Sequence, residues 1–253
     1  MVRDMFNFFA ENNSRIENTY KISGTDYNHI KNVLRMHEGE RILISDDGTS
    51  HLGEISQIDD ETIYVSIIEE NYNNTELPVK IYLYQGLPKS DKMELIIQKT
   101  VELGVYEIIP VEMSRCVVKL EDKKKKNKVE RWQAIAESAA KQSKRNIIPE
   151  ISSVLSYSDA LKKSQQHDLV LIPYESHDGM ANTVNALKNL KSGQSVGIFI
   201  GPEGGFDEKE IEKACAFGGQ IISLGKRILR TETAAVTSVG MCMLHAEILG
   251  NGE

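Results

Sequence analysis

Two kinds of apolar pattern divide the chain. Up to about residue 70, short apolar runs are broken by Asp and Gly turns. An extended start near residues 5–9 is followed by runs at 40–45, 51–58 and 62–68, with an Asp46-Asp47-Gly48 turn and a polar turn at 59–61 between them. Closely spaced strands with such turns predict a small β-barrel. One helix is expected among them, over residues 26–36, where Ile30, Val33 and Leu34 fall at helical spacing and Asp26 is placed to cap the N-terminus. The Asn-rich stretch 70–75 reads as a linker, because Asn favours turns and cannot seed a core.

Beyond it, apolar runs alternate with longer helical patterns. Residues 80–84, 106–111, 168–172, 196–200 and 220–224 suit buried parallel strands. From Asp91, a capping-box candidate with Glu94, the set Met93, Ile96, Ile97, Thr100, Val101 and Gly104 follows the 3.6-residue period. A second helix places Trp132, Ile135, Ala136, Ala139 and Ala140 on one face. Alternating strands and helices imply an α/β domain with a mainly parallel sheet covered on both sides.

Composition narrows the function. The 253 residues carry a formal charge of −7, which argues against a general nucleic-acid binder. That average hides a patch: residues 115–146 contain 11 Lys+Arg against 4 Asp+Glu, net +7, leaving −14 on the rest. Attraction to a polyanion is therefore local, reaching about one Debye length of ~8 Å. Three cysteines, Cys116, Cys215 and Cys242, show no CxxC spacing and no neighbouring histidine cluster, so reduced structural thiols are expected and no metal site. No apolar run is read as membrane-spanning, and the N-terminal segment MVRDMFNFFAENN lacks the pattern of a secretory leader, so the expected address is the cytoplasm. The Lys123–Lys126 run reads as a solvated loop.

The segment VGIFIGPEGGFDEKEI, residues 196–211, joins a buried strand to a Gly/Pro loop and a helix opened by Asp207 with Glu210 three residues later. It matches neither GxxxxGK[ST] nor GxGxxG, and Glu203 inside the loop would repel phosphate. A second loop follows in ISLGKRILRTETAA, residues 222–235, where Gly225 suits a left-handed turn, Lys226, Arg227 and Arg230 supply cations, and Thr231 and Glu232 open the last helix. Two such loops after what read as adjacent strands predict a ligand crevice at the C-terminal edge of the sheet.

IGPEGGF followed by LGKRILRTETAA resembles the paired signature loops of the RsmE family of ribosomal RNA methyltransferases, in the SPOUT superfamily. The similarity extends through Lys92-Met-Glu94, Lys99, Glu102-Leu-Gly104, Ile109-Pro110, Arg115 and AESAAKQSKRNIIP (residues 136–149), and reaches His29-Ile30 and Val33-Leu-Arg-Met36. It covers essentially the whole chain. The resemblance implies a PUA-like RNA-binding β-barrel over residues 1–72 and a SPOUT domain over 76–253 with a C-terminal trefoil knot. It also implies S-adenosylmethionine as cofactor, a homodimer, and methylation of N3 of a uridine in small-subunit ribosomal RNA, free or in the assembled subunit. Two alternatives stay open: another RNA base as target, or a non-catalytic RNA-binding assembly factor.

The same resemblance assigns residues to roles. Cofactor contacts are expected from Ile172, Ile200, Gly201, Pro202, Glu203, Gly204, Leu224, Gly225, Ile228, Leu229, Arg230, Thr231 and Ala234. Arg230 is the candidate stabiliser of charge on the uracil, and Glu232 the candidate base or the partner of an arginine. RNA contacts are expected from His29, Arg35, Lys92, Arg115, Gln142 and Arg145, with Glu137 and Ser143 near the RNA or a second subunit. On the last helix, Val236, Val239, Gly240, Met243 and Ala246 form a stripe suited to close packing, against its own domain or a second copy.

Overall fold

The computed structural model describes residues 5–11, 13–118, 120–174 and 179–250, so the first four residues of the segment read for a leader lie outside it. The chain divides into two compact units, Met1–Glu76 with Ala140–Ile148, and Leu77–Ala139 with Pro149–Glu253.

In the first unit six strands form one sheet in the order β1-β4-β5-β6-β3-β2. They are β1 (Asn7–Phe9), β2 (Arg15–Ile16), β3 (Thr19–Ile22), β4 (Arg41–Asp46), β5 (Thr49–Ile58) and β6 (Ile63–Asn73). β1 runs parallel to β4, and the other pairs are antiparallel. Alternation sets the buried face: Ile63, Val65 and Ile67 of β6 join Tyr20, Ile42, Ile44 and Ile55 in the core, while Tyr64 and Ser66 face away.

The expected single helix is two pieces, α1 (Gly24–Asn28), preceded by Ser23, and a π-helical turn, His29–Leu34. Asp26 is not the cap; it lies inside α1 and holds Lys141 at 2.8 Å. The wider turn changes the phase of the apolar face, so Ile30 is buried and Val33 is 70% exposed. Arg35, left-handed at φ 55°, ends the turn. The Asn-rich stretch is not a linker: β6 runs through it, Asn73 pairs with Ser50, and Asn71 takes φ 51° at the irregular end of the strand.

The segment 140–148 completes this unit. The backbone carbonyl of Arg145 accepts from Asn7 at 3.0 Å and Ser45 at 3.2 Å, its guanidinium pairs with Glu76, and the Asn146 side chain donates to the Asn73 carbonyl at 3.0 Å.

The second unit is a parallel sheet in the order β10-β8-β7-β12-β11-β13, with β9 beside β8. The central strands are β7 (Lys80–Gly86), β8 (Val105–Glu112), β11 (Leu169–Pro173), β12 (Ser195–Ile200) and β13 (Gln220–Ile222), with short β9 (Glu150–Ile151) and β10 (Leu155–Ser156) at one edge. Near-continuous burial along β7, β8, β11 and β12 is what a sheet covered on both faces requires.

Among the described residues five helices connect the strands, α2 (Lys92–Glu102), α3 (Asp122–Ser143), α4 (Tyr157–Ser164), α5 (Ala181–Asn189) and α6 (Glu208–Ala216), and α7 (Thr231–Gly250) follows the last strand. α2 buries Met93, Ile96, Ile97, Thr100 and Val101, but the Asp91 side chain makes no capping bond, and Glu94 pairs instead with Arg131 of α3 at 2.9 Å. Lys123–Lys126 is helical rather than loop, with Lys125 holding Glu112 at 3.0 Å. α7 is long and apolar enough to cross a membrane by length and composition, contrary to the sequence reading. It is nonetheless packed on α2, β7 and β12, with Ala235, Val239, Cys242 and Ala246 buried.

Candidate functional site

Both Gly loops leave the C-terminal edge of the parallel sheet. The first, residues 201–206, follows β12 and turns on a bond from the Gly205 N–H to the Pro202 carbonyl at 2.8 Å, with Gly205 at φ 68°. Its exit is fixed by a complete capping box, in which the Asp207 side chain accepts from the first turn of α6 and Glu210 accepts from the Asp207 N–H. Arg115 lies across this loop, donating to the Gly204 carbonyl at 3.2 Å with Asp207 at 3.6 Å. A side chain at Gly201 would meet the loop's own backbone, Gly205 at 3.1 Å and Phe206 at 3.2 Å. Glycine is needed there because the loop folds back on itself, before any ligand is considered.

The second loop starts earlier than expected. β13 stops at Ile222 because Thr183 of α5 takes over the backbone of Ser223, accepting from its N–H at 3.0 Å and donating to its carbonyl at 2.8 Å. Gly225 at φ 101° then turns the chain toward Lys226, Arg227 and Ile228, all exposed, before Thr231 opens α7. The two loops do not follow neighbouring strands, since β11 lies between β12 and β13. The end of β11 therefore contributes Pro173 and Tyr174 to the space between them.

That space is a cleft of about 1060 Å³, at the upper end of the size that encloses a small ligand. Of the residues assigned to the cofactor by resemblance, all but Ile172 line it, and Lys92 and Arg115 line it too. Ile172 is wholly buried in the core beneath, because it points into the sheet's packed face one residue before Pro173. Sequence reading missed Pro173, Tyr174, Met180 and Ser223. For Pro173 and Tyr174 the signal would have been a third strand end at the same edge, which strand order alone reveals.

An ionic cluster stands at one wall. Lys92 Nζ is 3.2 Å from Glu203 of the first loop and 3.2 Å from Glu232 at the start of α7. Hydrogen bonds to Glu203 and then Glu232 hold the Lys92 pKa above its ordinary value. Partial burial pushes the Glu203 carboxyl up, but bonds from the backbone N–H groups of Lys89 and of Glu203 itself, with Lys92, outweigh it and leave it below the usual range. Glu232 does not line the cleft; its carboxylate is turned to Lys92. Arg230 is exposed and lines the cleft.

The expected RNA contacts separate. Lys92 and Arg115 belong to the cleft, whereas His29, Arg35 and Gln142 are exposed on the first unit, with the His29 ring 6.1 Å from that of Phe8. Arg145 is only 3% exposed and bound to Glu76, so its guanidinium serves the interior of that unit and is not presented to RNA.

The lining combines apolar wall with open loop backbone, which suits a ligand with a flat base. Ile200, Leu224 and Leu229 supply apolar wall, and Gly205 and Gly225 leave room beside the loop backbones. A Cβ at Gly205 would meet nothing within 4 Å, and one at Gly225 only the Arg227 guanidinium at 3.7 Å. Exposed backbone groups of such loops can read a base edge without a side chain between.

A family model described as RNA methyltransferase domain matches residues 75–243, and one described as RNA methyltransferase PUA domain matches residues 22–68. The chain is 41% identical over 235 residues to the ribosomal RNA small subunit methyltransferase E of Bacillus subtilis, covering 91% of this chain and 92% of that one. The crystal structure of a ribosomal RNA small subunit methyltransferase E from Neisseria gonorrhoeae bound to S-adenosyl methionine is 30% identical, with a TM-score of 0.78 over 93% of this chain and 95% of that one. A Legionella pneumophila methyltransferase in complex with the same cofactor is 29% identical, with a TM-score of 0.80 over 95% of this chain and 97% of the other.

Proposed function

The chain belongs to the RNA methyltransferase family that includes the ribosomal RNA small subunit methyltransferase E enzymes, and from that premise we propose that it methylates N3 of a uridine in small-subunit ribosomal RNA. S-adenosylmethionine is the methyl donor. The observation that carries the site assignment is the cleft itself, in which two Gly loops and the end of β11 meet at the C-terminal edge of a parallel sheet.

When bound, the cofactor supplies an electrophilic methyl group. The chain's own part is placement and charge. Ile200, Leu224, Leu229 and the loop backbones hold the cofactor, so that attack occurs in line from a fixed position. Uracil N3 carries a proton and attacks poorly until it is lost. Arg230, one of three exposed cations of the second loop that line the cleft with Lys226 and Arg227, is assigned to stabilising the negative charge that then spreads over the uracil oxygens. Glu232 is assigned to holding Lys92, and Lys92 to linking the first loop to α7. Arg115 braces the first loop while half of its side chain stays open to solvent, where it can also meet a phosphate.

The finer architecture is part of the same reading. The strand order and the return of Thr231 to the first loop favour a C-terminal trefoil knot, and the six-stranded first unit favours a PUA-like barrel that presents His29 and Arg35 to RNA. A homodimer is proposed on α7, through a different face from the expected stripe. Val239 and Ala246 are buried in the unit's own core and Gly240 lies against Leu103, so these three are internal packing, while Val236 and Met243 are half-buried. Leu244 at 61% and Ile248 at 71% exposure, one helical turn apart, are the apolar residues left for a second copy. A ribosomal RNA substrate favours the cytoplasm as its address.

Hydrogen exchange with and without S-adenosylmethionine tests the site. Protection should concentrate on the amides of residues 200–206 and 223–230; protection confined to other segments would remove the assignment.

A further inference from the structure

Behind the cleft, out of reach of anything bound in it, Gln85 is completely buried at the end of β7. It lies in register with Ile200, the last residue of β12 before the first loop. Its side-chain amide donates to the Gly86 carbonyl at 2.9 Å and to the Thr231 hydroxyl at 3.0 Å. The Thr231 hydroxyl has one proton to give, and it goes to the Gly201 carbonyl at 2.7 Å. The direction of this chain is set by chemistry. Turning the Gln85 amide over would bring its oxygen against the Gly86 carbonyl and draw the Thr231 proton away from Gly201.

Two further features tie the same strand end to the same loop. A Cβ at Gly86 would stand 2.8 Å from Pro202, so the loop packs directly on backbone there. The Gln85 side-chain oxygen has no hydrogen-bond partner among the described residues. A buried acceptor left unpaired is unfavourable. Its retention beside two good donor bonds fits a side chain kept for what its N–H groups hold.

We propose that Gln85 is a positioning residue for methyl transfer: through the Thr231 hydroxyl it fixes the Gly201 carbonyl, and with it the first loop, in the shape that receives the cofactor. The Lys92 bridge between Glu203 and Glu232 is the half-buried counterpart, joining the next residue of α7 to the same loop. The buried link is the one that water and salt do not weaken. This proposal rests on the cleft being the cofactor site.

The test compares Gln85→Leu, Thr231→Val and Thr231→Ser with the unaltered protein by calorimetric titration of S-adenosylmethionine, well below each variant's unfolding temperature. Gln85→Leu and Thr231→Val should each weaken cofactor binding roughly tenfold, the loss of about one hydrogen bond's net contribution. Thr231→Ser, which keeps the hydroxyl, should bind nearly as the unaltered protein does. The double variant Gln85→Leu/Thr231→Val should be little worse than either single one, because both break one chain. A merely structural role would lower thermal stability and leave the affinity of the folded protein unchanged; unchanged affinity, or additive losses in the double variant, overturns the proposal. Hydrogen exchange on the unaltered protein separates the two readings. Protection of residues 200–206 by the cofactor with unchanged variant affinities rejects the Gln85 chain alone, and protection confined to other segments rejects the site it serves.

Discussion

Arg230 and Glu232 are two residues apart, yet the structure gives them different surroundings. Arg230 is exposed in the cleft, and Glu232 is turned to Lys92. The Arg230→Ala variant should lose turnover by roughly a hundredfold or more, the scale seen when one charge-stabilising donor is removed from a reacting centre. Its affinity for S-adenosylmethionine should stay close to that of the unaltered protein, because the contribution is made to the uracil. Single-turnover kinetics beside calorimetric titration checks this; normal turnover, or a loss confined to cofactor affinity, would contradict it. Sequence alone could place Arg230 in a loop but could not see that the nearest partner of Glu232 is a lysine 140 positions earlier, since that pairing exists only once α2 and α7 pack together.

A second residue-level expectation concerns His167, just before β11. Its ring stacks on Tyr82 with centroids 4.2 Å apart, and its Nε2 shares a hydrogen bond with the Tyr84 hydroxyl at 2.8 Å. Burial first, and then the charge of Lys163, lower its pKa from 6.5 to about 4 against the opposing pull of Asp168. The unfolded chain therefore takes up this proton before the folded one does. The stability that neutral His167 contributes is full above pH 6.5 and is lost as the pH falls from there to about 4. After allowing for solvent around an incompletely buried ring, the loss is on the order of 2 kcal/mol. Urea unfolding at several pH values should show a fall across this window that is shallower in a His167→Gln variant. Equal slopes in the two proteins would count against the assignment.

At the scale of elements, what was legible was what is local. The Asp207–Glu210 capping box needs only neighbours in sequence and forms as expected. The similar pair Asp91 and Glu94 does not, because Arg131 of a distant helix takes the Glu94 carboxylate. The strand ending at Ile222 and the phase change after α1 follow the same rule: Thr183 and a π-helical turn, neither visible as periodicity, decide them. The stripe on α7 stays open in the sequence between its own domain and a second copy for a related reason. A 20-residue apolar helix shows its period but not which side its own domain covers, and the domain covers Val239 and Ala246. The exposed pair predicts the partner face. Sedimentation at micromolar concentration should give a dimer for the unaltered protein and a monomer for Leu244→Glu/Ile248→Glu. A monomeric unaltered protein, or a variant that still dimerises, would remove α7 from the interface.

At the scale of the molecule, the change from strands with short turns to alternating strands and helices marked two units, and the structure divides them after Glu76. It also returns residues 140–148 to the first unit, which no composition shift announces. Removing residues 1–75 would take Asn7 and Ser45 away from Arg145, so the role of the small unit is better asked of exposed His29 and Arg35 than of a truncation. The order of strands was equally hidden. That β11 separates the strands feeding the two loops, and so supplies Tyr174 to the cleft, is a fact of long-range pairing. The central claim, that this cleft serves methylation of one uridine in small-subunit ribosomal RNA, is tested most directly by mass mapping of modified nucleotides. Small-subunit RNA from cells lacking the protein should lack one N3-methyluridine that is present in cells carrying it, and purified protein with S-adenosylmethionine should restore that mark. Identical maps from the two cells, or a methyl group restored to a different base, would contradict the account.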